Sequence, residues 1–122
     1  MLLAVLAVAA GGAAGALLRF GAYRAFDSQI FPWATLAVNV TGCFLAAFLI
    51  FSFGADMSYE MRSFLFAGVF GAFTTMSAVN LETVDLMAAG NYAYAALNVL
   101  ANVGLCLLGA ALGRMLAVSP IF

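Results

Sequence analysis

The sequence predicts an all-α integral membrane protein with four spans, and three observations carry that prediction. Of 122 residues, 67% are hydrophobic and 7% charged, against roughly 25% charge and about 45–50% apolar residues in a soluble domain. The apolar residues are gathered into four runs, each near the roughly 20 residues that cross a bilayer. The runs are also apolar throughout, whereas transmembrane barrel strands alternate over ~10-residue segments. With a mean hydropathy of +1.16, the chain lacks the polar surface to cover a water-soluble globule. A multi-pass protein of the cell membrane is expected, built as one four-helix domain over residues 1–122.

The expected helices cover residues 2–25, 31–54, 61–89 and 92–117, separated by Asp27-Ser28-Gln29, the polar stretch 56–60 and Gly90-Asn91. The alanine-rich start of the first could pass for a secretory signal. No basic residue precedes it and three equal runs follow, so it reads as a retained helix. In the second, Thr35, Asn39, Gly42 and Cys43 share one face at helical spacing. The third carries Thr74, Thr75, Ser77, Asn80, Glu82, Thr83 and Asp85 within a dozen residues. Its stretch Gly71-Ala72-Phe73-Thr74-Thr75 mixes glycine with β-branched residues and is a poor helix former. A break near the middle of that span is expected. It would free backbone carbonyls at bilayer depth, where protein or an ion must satisfy them. Carbonyl oxygens suit a hard cation, whereas hydroxyls and the asparagine amide donate and suit an anion. Glu82 and Asp85 lie nearer the end of the span, where a charge costs less. In the fourth run, Asn98 and Asn102 stand one turn apart and read as interhelical glue, at about 0.6 kcal/mol per hydrogen bond.

Several functions are excluded by what the chain lacks. Four arginines and no lysine make no basic patch for nucleic acid. Histidine, the commonest general base and zinc ligand, does not occur. Cys43 and Cys106 sit inside apolar runs, which argues against a disulfide-stapled secreted domain. No nucleophile–base pair, metal-ligand cluster or phosphate-cradling loop is present, so an enzyme is not expected.

Orientation is undetermined by charge. Arg62 and Arg114 fall on the side of the termini and Arg19 and Arg24 on the other, a tie under the positive-inside rule. Either weak cues orient the chain, or copies insert both ways and pair antiparallel. Four helices hardly enclose a pathway, which favours an oligomer. The small-residue pairs Gly11/Gly15 and Gly109/Gly113 allow close helix contact.

Four motifs in order resemble the small bacterial and archaeal fluoride channels of the CrcB/Fluc family, nearly end to end. They are the glycine-rich Gly11-Gly12-Ala13-Ala14-Gly15 stretch closed by Arg19, Trp33-Ala34-Thr35-Leu36-Ala37-Val38-Asn39-Val40-Thr41-Gly42, Gly71-Ala72-Phe73-Thr74-Thr75-Met76-Ser77, and Gly90-Asn91-Tyr92. The resemblance implies an antiparallel dual-topology dimer that moves fluoride passively out of the cytoplasm, which makes the arginine tie the expected outcome. It implies a structural Na⁺ on the dimer axis, held by backbone carbonyls that by position belong to Gly71 and Thr74. Asn39 becomes the pore-facing amide donor, with Thr75, Met76, Ser77 and Val79 along the anion pathway. Glu82 becomes the vestibule carboxylate and Arg19 a residue near the entrance. Such a pathway replaces the water of a small, tightly hydrated anion with amide, hydroxyl and ring-edge donors.

The chain departs from the family pattern at the ring edges. Two phenylalanines three residues apart are Met76 and Val79 here, the threonine after the serine is Ala78, and a polar position of the fourth helix is Ala110. Phe70 and Phe73 are near but out of phase. Three readings follow: a heterodimer whose partner supplies the rings, a homodimer with a methionine-lined pore, or an impaired pore. Dedicated partners tend to acquire opposite charge biases, so the balanced arginines favour a homodimer. The alternative outside the family is a subunit of a small multidrug transporter. Its proton coupling needs an acid deep in the first helix, and residues 2–18 contain none.

Overall fold

The computed structural model describes residues 1–26 and 30–121. The first polar break, Asp27-Ser28-Gln29, lies outside them. Helices α1 (Leu2–Ala25) and α2 (Trp33–Phe53) are continuous. The third span is assembled from α3 (Tyr59–Arg62), a π-helical stretch (Ser63–Phe70), α4 (Gly71–Phe73) and α5 (Met76–Ala88). A continuous α6 (Tyr92–Ala117) follows. All four units are long and apolar enough to cross a membrane.

Two helix starts differ by two residues from the sequence expectation, for local reasons, and two helix ends by one. Helix α2 starts at Trp33 rather than residue 31, because a residue before proline is pushed out of the helical region and Pro32 follows Phe31. The third span starts at Tyr59 rather than residue 61, because the Ser58 hydroxyl accepts the Met61 N–H at 3.1 Å and caps the turn. Between α5 and α6 the chain reverses at Gly90, whose φ of 81° is left-handed. The Asn91 N–H reaches the Leu86 carbonyl (2.8 Å) and the Gly90 N–H the Met87 carbonyl (3.0 Å), closing the helix end.

Glycines set how the spans meet. A Cβ on Gly11 would strike the Phe64 carbonyl oxygen, and one on Gly15 the Val69 carbonyl oxygen. Helix α1 therefore lies backbone to backbone on the π-helical stretch. A Cβ on Gly113 would strike the Phe44 carbonyl, and one on Gly109 would lie 3.3 Å from that of Val40, which presses α6 onto α2. Both glycine pairs thus serve contacts within the chain.

The centre of the bundle is polar. Asn98, Thr35, Asn39 and Asn102 are buried alongside Val38, Val79 and Leu86, while leucines such as Leu17, Leu81, Leu100 and Leu107 are exposed. With lipid as solvent, apolar burial gives no drive between helices, so small residues and hydrogen bonds do the joining. At one end of the bundle Phe31 packs on Trp33 and Tyr94, with ring centroids 4.7 and 5.9 Å away. Near the other, Arg62 donates to the Gly54 carbonyl at 3.2 Å and caps α2, and the Arg114 guanidinium lies 5.2 Å from the Phe51 ring centre.

Candidate functional site

The third span is interrupted at Thr74 (φ −86°, ψ 152°) and Thr75 (φ −152°, ψ 115°), both extended. This is the mid-span break expected from the glycine and threonine content. Asn39 holds it open. Its Oδ1 accepts the Thr75 N–H at 2.8 Å and its Nδ2 donates to the Thr75 carbonyl at 3.1 Å. The same Nδ2 donates to Asn102 Oδ1 at 2.9 Å.

Gly71 and Thr74 are among the residues whose carbonyls lose their helical partners here. In a continuous helix, each carbonyl accepts from the N–H four residues on. The Thr75 N–H that Gly71 would receive goes to Asn39, and the Ala78 N–H that Thr74 would receive goes to Thr75 Oγ1 at 3.2 Å. The break also gives α5 an N-terminus in mid-span. Thr75 caps it, its hydroxyl sharing a hydrogen bond with Ser77 Oγ at 3.0 Å.

Beyond the break runs a buried hydrogen-bonded chain. Asn102 Nδ2 donates to the Asn98 carbonyl (2.8 Å) and Asn98 Oδ1 (3.0 Å), and Asn98 Nδ2 donates to Thr83 Oγ1 (3.1 Å) and the Val79 carbonyl (3.3 Å). The two asparagines of α6 are glue, as their spacing suggests. A second chain starts at Tyr23, whose hydroxyl lies 2.9 Å from Thr35 Oγ1, and Thr35 in turn donates to Glu82 Oε1.

Two surface grooves flank the break and share Thr75. One, of about 330 Å³, is lined by Asn39, Cys43, Met76, Asn102 and Cys106 among others. The other, of about 440 Å³, is lined by Arg19, Tyr23 and Ser77 with apolar neighbours. Glu82 and Asp85 line a third, of about 310 Å³, together with Asn91.

These placements sort the residues singled out from sequence. Thr75, Met76 and Ser77 border the two grooves at the break, with Met76 57% exposed. Gly71 and Thr74 lie at the break, as expected. Glu82 and Arg19 border different grooves, connected through Tyr23 and Thr35. Two of these residues are enclosed within the chain. Val79 is 2% exposed and packs in the core, because it shares the inward face of α5 with Leu86, seven residues on. Asn39 borders a groove, and its amide hydrogens are engaged by Thr75 and Asn102, so it braces the break. Tyr23 escaped the sequence reading. Its signal was a polar side chain one turn beyond Arg19 on the same face of α1.

Comparison with known proteins agrees with this geometry along nearly the whole chain. Residues 6–114 match the family described as "CrcB-like protein, Camphor Resistance (CrcB)". Relatives named "Fluoride-specific ion channel FluC" include that of Geobacter sulfurreducens, 42% identical over 118 residues, covering 93% of this chain and 95% of the relative. The Aeromonas salmonicida protein of that name is 42% identical over 119 residues, with the same two coverages. That of Magnetococcus marinus is 40% identical over 111 residues, covering 87% and 90%. With four spans, a broken third helix and similarity from first helix to last, the chain belongs to the CrcB family.

Proposed function

We propose that this chain is a fluoride channel subunit, which lets fluoride leave the cytoplasm passively down its gradient. The observation that carries the reading is the mid-span N-terminus of α5. Its first-turn N–H groups and the Thr75 and Ser77 hydroxyls bring uncharged donors to the edges of two grooves. A helix N-terminus carries a partial positive charge that favours an anion. Neutral donors can take over the water of a small anion without the trapping that a fixed cation would cause. The names of the relatives support fluoride as the ion.

The working unit in this reading is an antiparallel homodimer. Each chain presents its grooves on a flank, and a second copy turns them into walled pathways. Na⁺ fits at the break, because the carbonyls of Gly71 and Thr74 have given up their helical N–H partners and hard oxygen donors suit that ion. Supplied by both copies, those carbonyls would tie the dimer together. Glu82, held by Thr35, which Tyr23 in turn bonds, serves as the vestibule carboxylate, and Arg19 attracts anions to the neighbouring groove mouth. Met76 stands where the family has an aromatic ring and offers polarisable sulfur and methyl edges.

The test is fluoride efflux from liposomes that carry this chain alone, read with a fluoride electrode. Ser77→Ala, which removes a hydroxyl from the groove edge, is expected to lower efflux at least tenfold, about 1.4 kcal/mol of barrier. Equal efflux from Ser77→Ala and the parent would remove Ser77 from the pathway.

A further inference from the structure

The chain's two cysteines have no part in the reading above. Cys43 on α2 and Cys106 on α6 are both free and half-buried, and they line the same groove beside Asn39, Asn102 and Met76. Helix register brings them together. Cys43 lies one turn beyond Asn39 and Cys106 one turn beyond Asn102, and those two asparagines are hydrogen-bonded at 2.9 Å. Further along both helices Gly109 meets Val40 and Gly113 meets Phe44, so α2 and α6 run parallel. The two thiols accordingly face the same groove, one from each helix.

We propose that Cys43 and Cys106 form a chelating site for a thiophilic d¹⁰ metal ion of the mercuric type, and that filling it closes the groove. Sulfur ligands select soft ions. A linear S–metal–S arrangement needs only two sulfurs, one from each helix. A structural zinc needs four ligands, and among the described residues no cluster of three or more His, Cys, Asp or Glu gathers anywhere. Charge points the same way. A divalent ion bound to two thiolates forms a neutral complex, which a groove between membrane helices tolerates better than a net charge. The step balances without an oxidant: two metal–sulfur bonds form, two S–H bonds break, and two protons leave to water. Met76, on α5, lines the same groove with a thioether. The ion then sits one turn from the Asn39 brace, inside the groove that the anion would use.

Binding does not depend on the fluoride reading, whereas block of the groove rests on it, so the experiment measures them separately. Purified protein in detergent is titrated with Hg²⁺, and the remaining thiols are counted with a chromogenic thiol reagent. One ion per chain is expected to silence both thiols and to produce the ultraviolet thiolate-to-mercury band. Cys43→Ser and Cys106→Ser should each take one ion for the one thiol left, and a competing monothiol should strip it at a concentration at least ~100-fold lower than the parent requires. A parent that needs two ions per chain would overturn the chelate. Half an ion per chain in the single variants would also overturn it, since that stoichiometry means bridging between copies. In liposomes, fluoride efflux should stop at one ion per chain and return with excess dithiol. Efflux that persists with the ion bound overturns the block. A chain that passes no fluoride before mercury is added overturns the conduction reading and the block, and the stoichiometry still decides the site.

Discussion

Asn39 shows what a single side chain contributes to this fold. One amide satisfies both the N–H and the carbonyl of Thr75 and still reaches Asn102. Removing it leaves buried backbone groups unpaired, at about 1–3 kcal/mol each. An ordinary interhelical side-chain bond in a membrane averages about 0.6 kcal/mol. Asn39→Ala should therefore lower the thermal unfolding midpoint in detergent clearly more than Asn102→Ala, and should depress fluoride flux as the break relaxes. Equal midpoints for the two variants would mean that Asn39 does not hold the break. The position of Asn39 on a shared face with Thr35 was legible from spacing alone. Its partner was not, because periodicity assigns faces but does not say which backbone groups arrive there. Val79 marks the opposite limit. Its place in a family pattern suggested the pathway, and its phase with Leu86 gives it a buried place within the single chain.

Among the elements, the third span departs furthest from a regular helix, and α1 supports it. Gly11 and Gly15 let the α1 backbone rest against the carbonyls of Phe64 and Val69, just before the break. A larger residue there must push the π-helical stretch away, and overpacking of this kind costs typically 1–3 kcal/mol. Gly15→Val is expected to destabilise the protein by about that much, whereas Gly12→Ala, where a Cβ would meet nothing within 4 Å, should be neutral or slightly stabilising, since alanine is the better helix former. Thermal unfolding of the two variants side by side checks this, and a Gly15→Val variant as stable as the parent would contradict the contact. The existence of four helices and of a break near Gly71–Thr75 followed from composition, because a glycine and two adjacent threonines fall within five residues there. The π-helical stretch did not. Ser63–Phe70 is uniformly apolar apart from its first residue, so nothing in its pattern distinguishes one helical winding from another.

At the scale of the whole molecule, the charges lie towards the ends of the spans, and the middle works with neutral groups. Glu82 and Asp85 lie towards the C-terminal end of α5 and line a groove there with Pro32 and Asn91. In the proposed reading, Na⁺ at the break would be held by the carbonyls freed at Gly71 and Thr74. Exchanging Na⁺ for a large organic cation throughout purification should shift the protein from dimer to monomer on size-exclusion chromatography with light scattering, and an unchanged dimer would remove the ion from the assembly. The composition announced a membrane protein before any helix was placed. The identity of the permeating ion lay in the arrangement of motifs, since hydropathy cannot tell one four-helix transporter from another. The central claim is that this chain alone makes a fluoride-selective pathway from neutral donors. Its most direct test is paired efflux from liposomes loaded with fluoride and chloride and carrying only this chain. The account predicts rapid loss of fluoride with chloride retained; retention of both ions, or their release at equal rates, would contradict it.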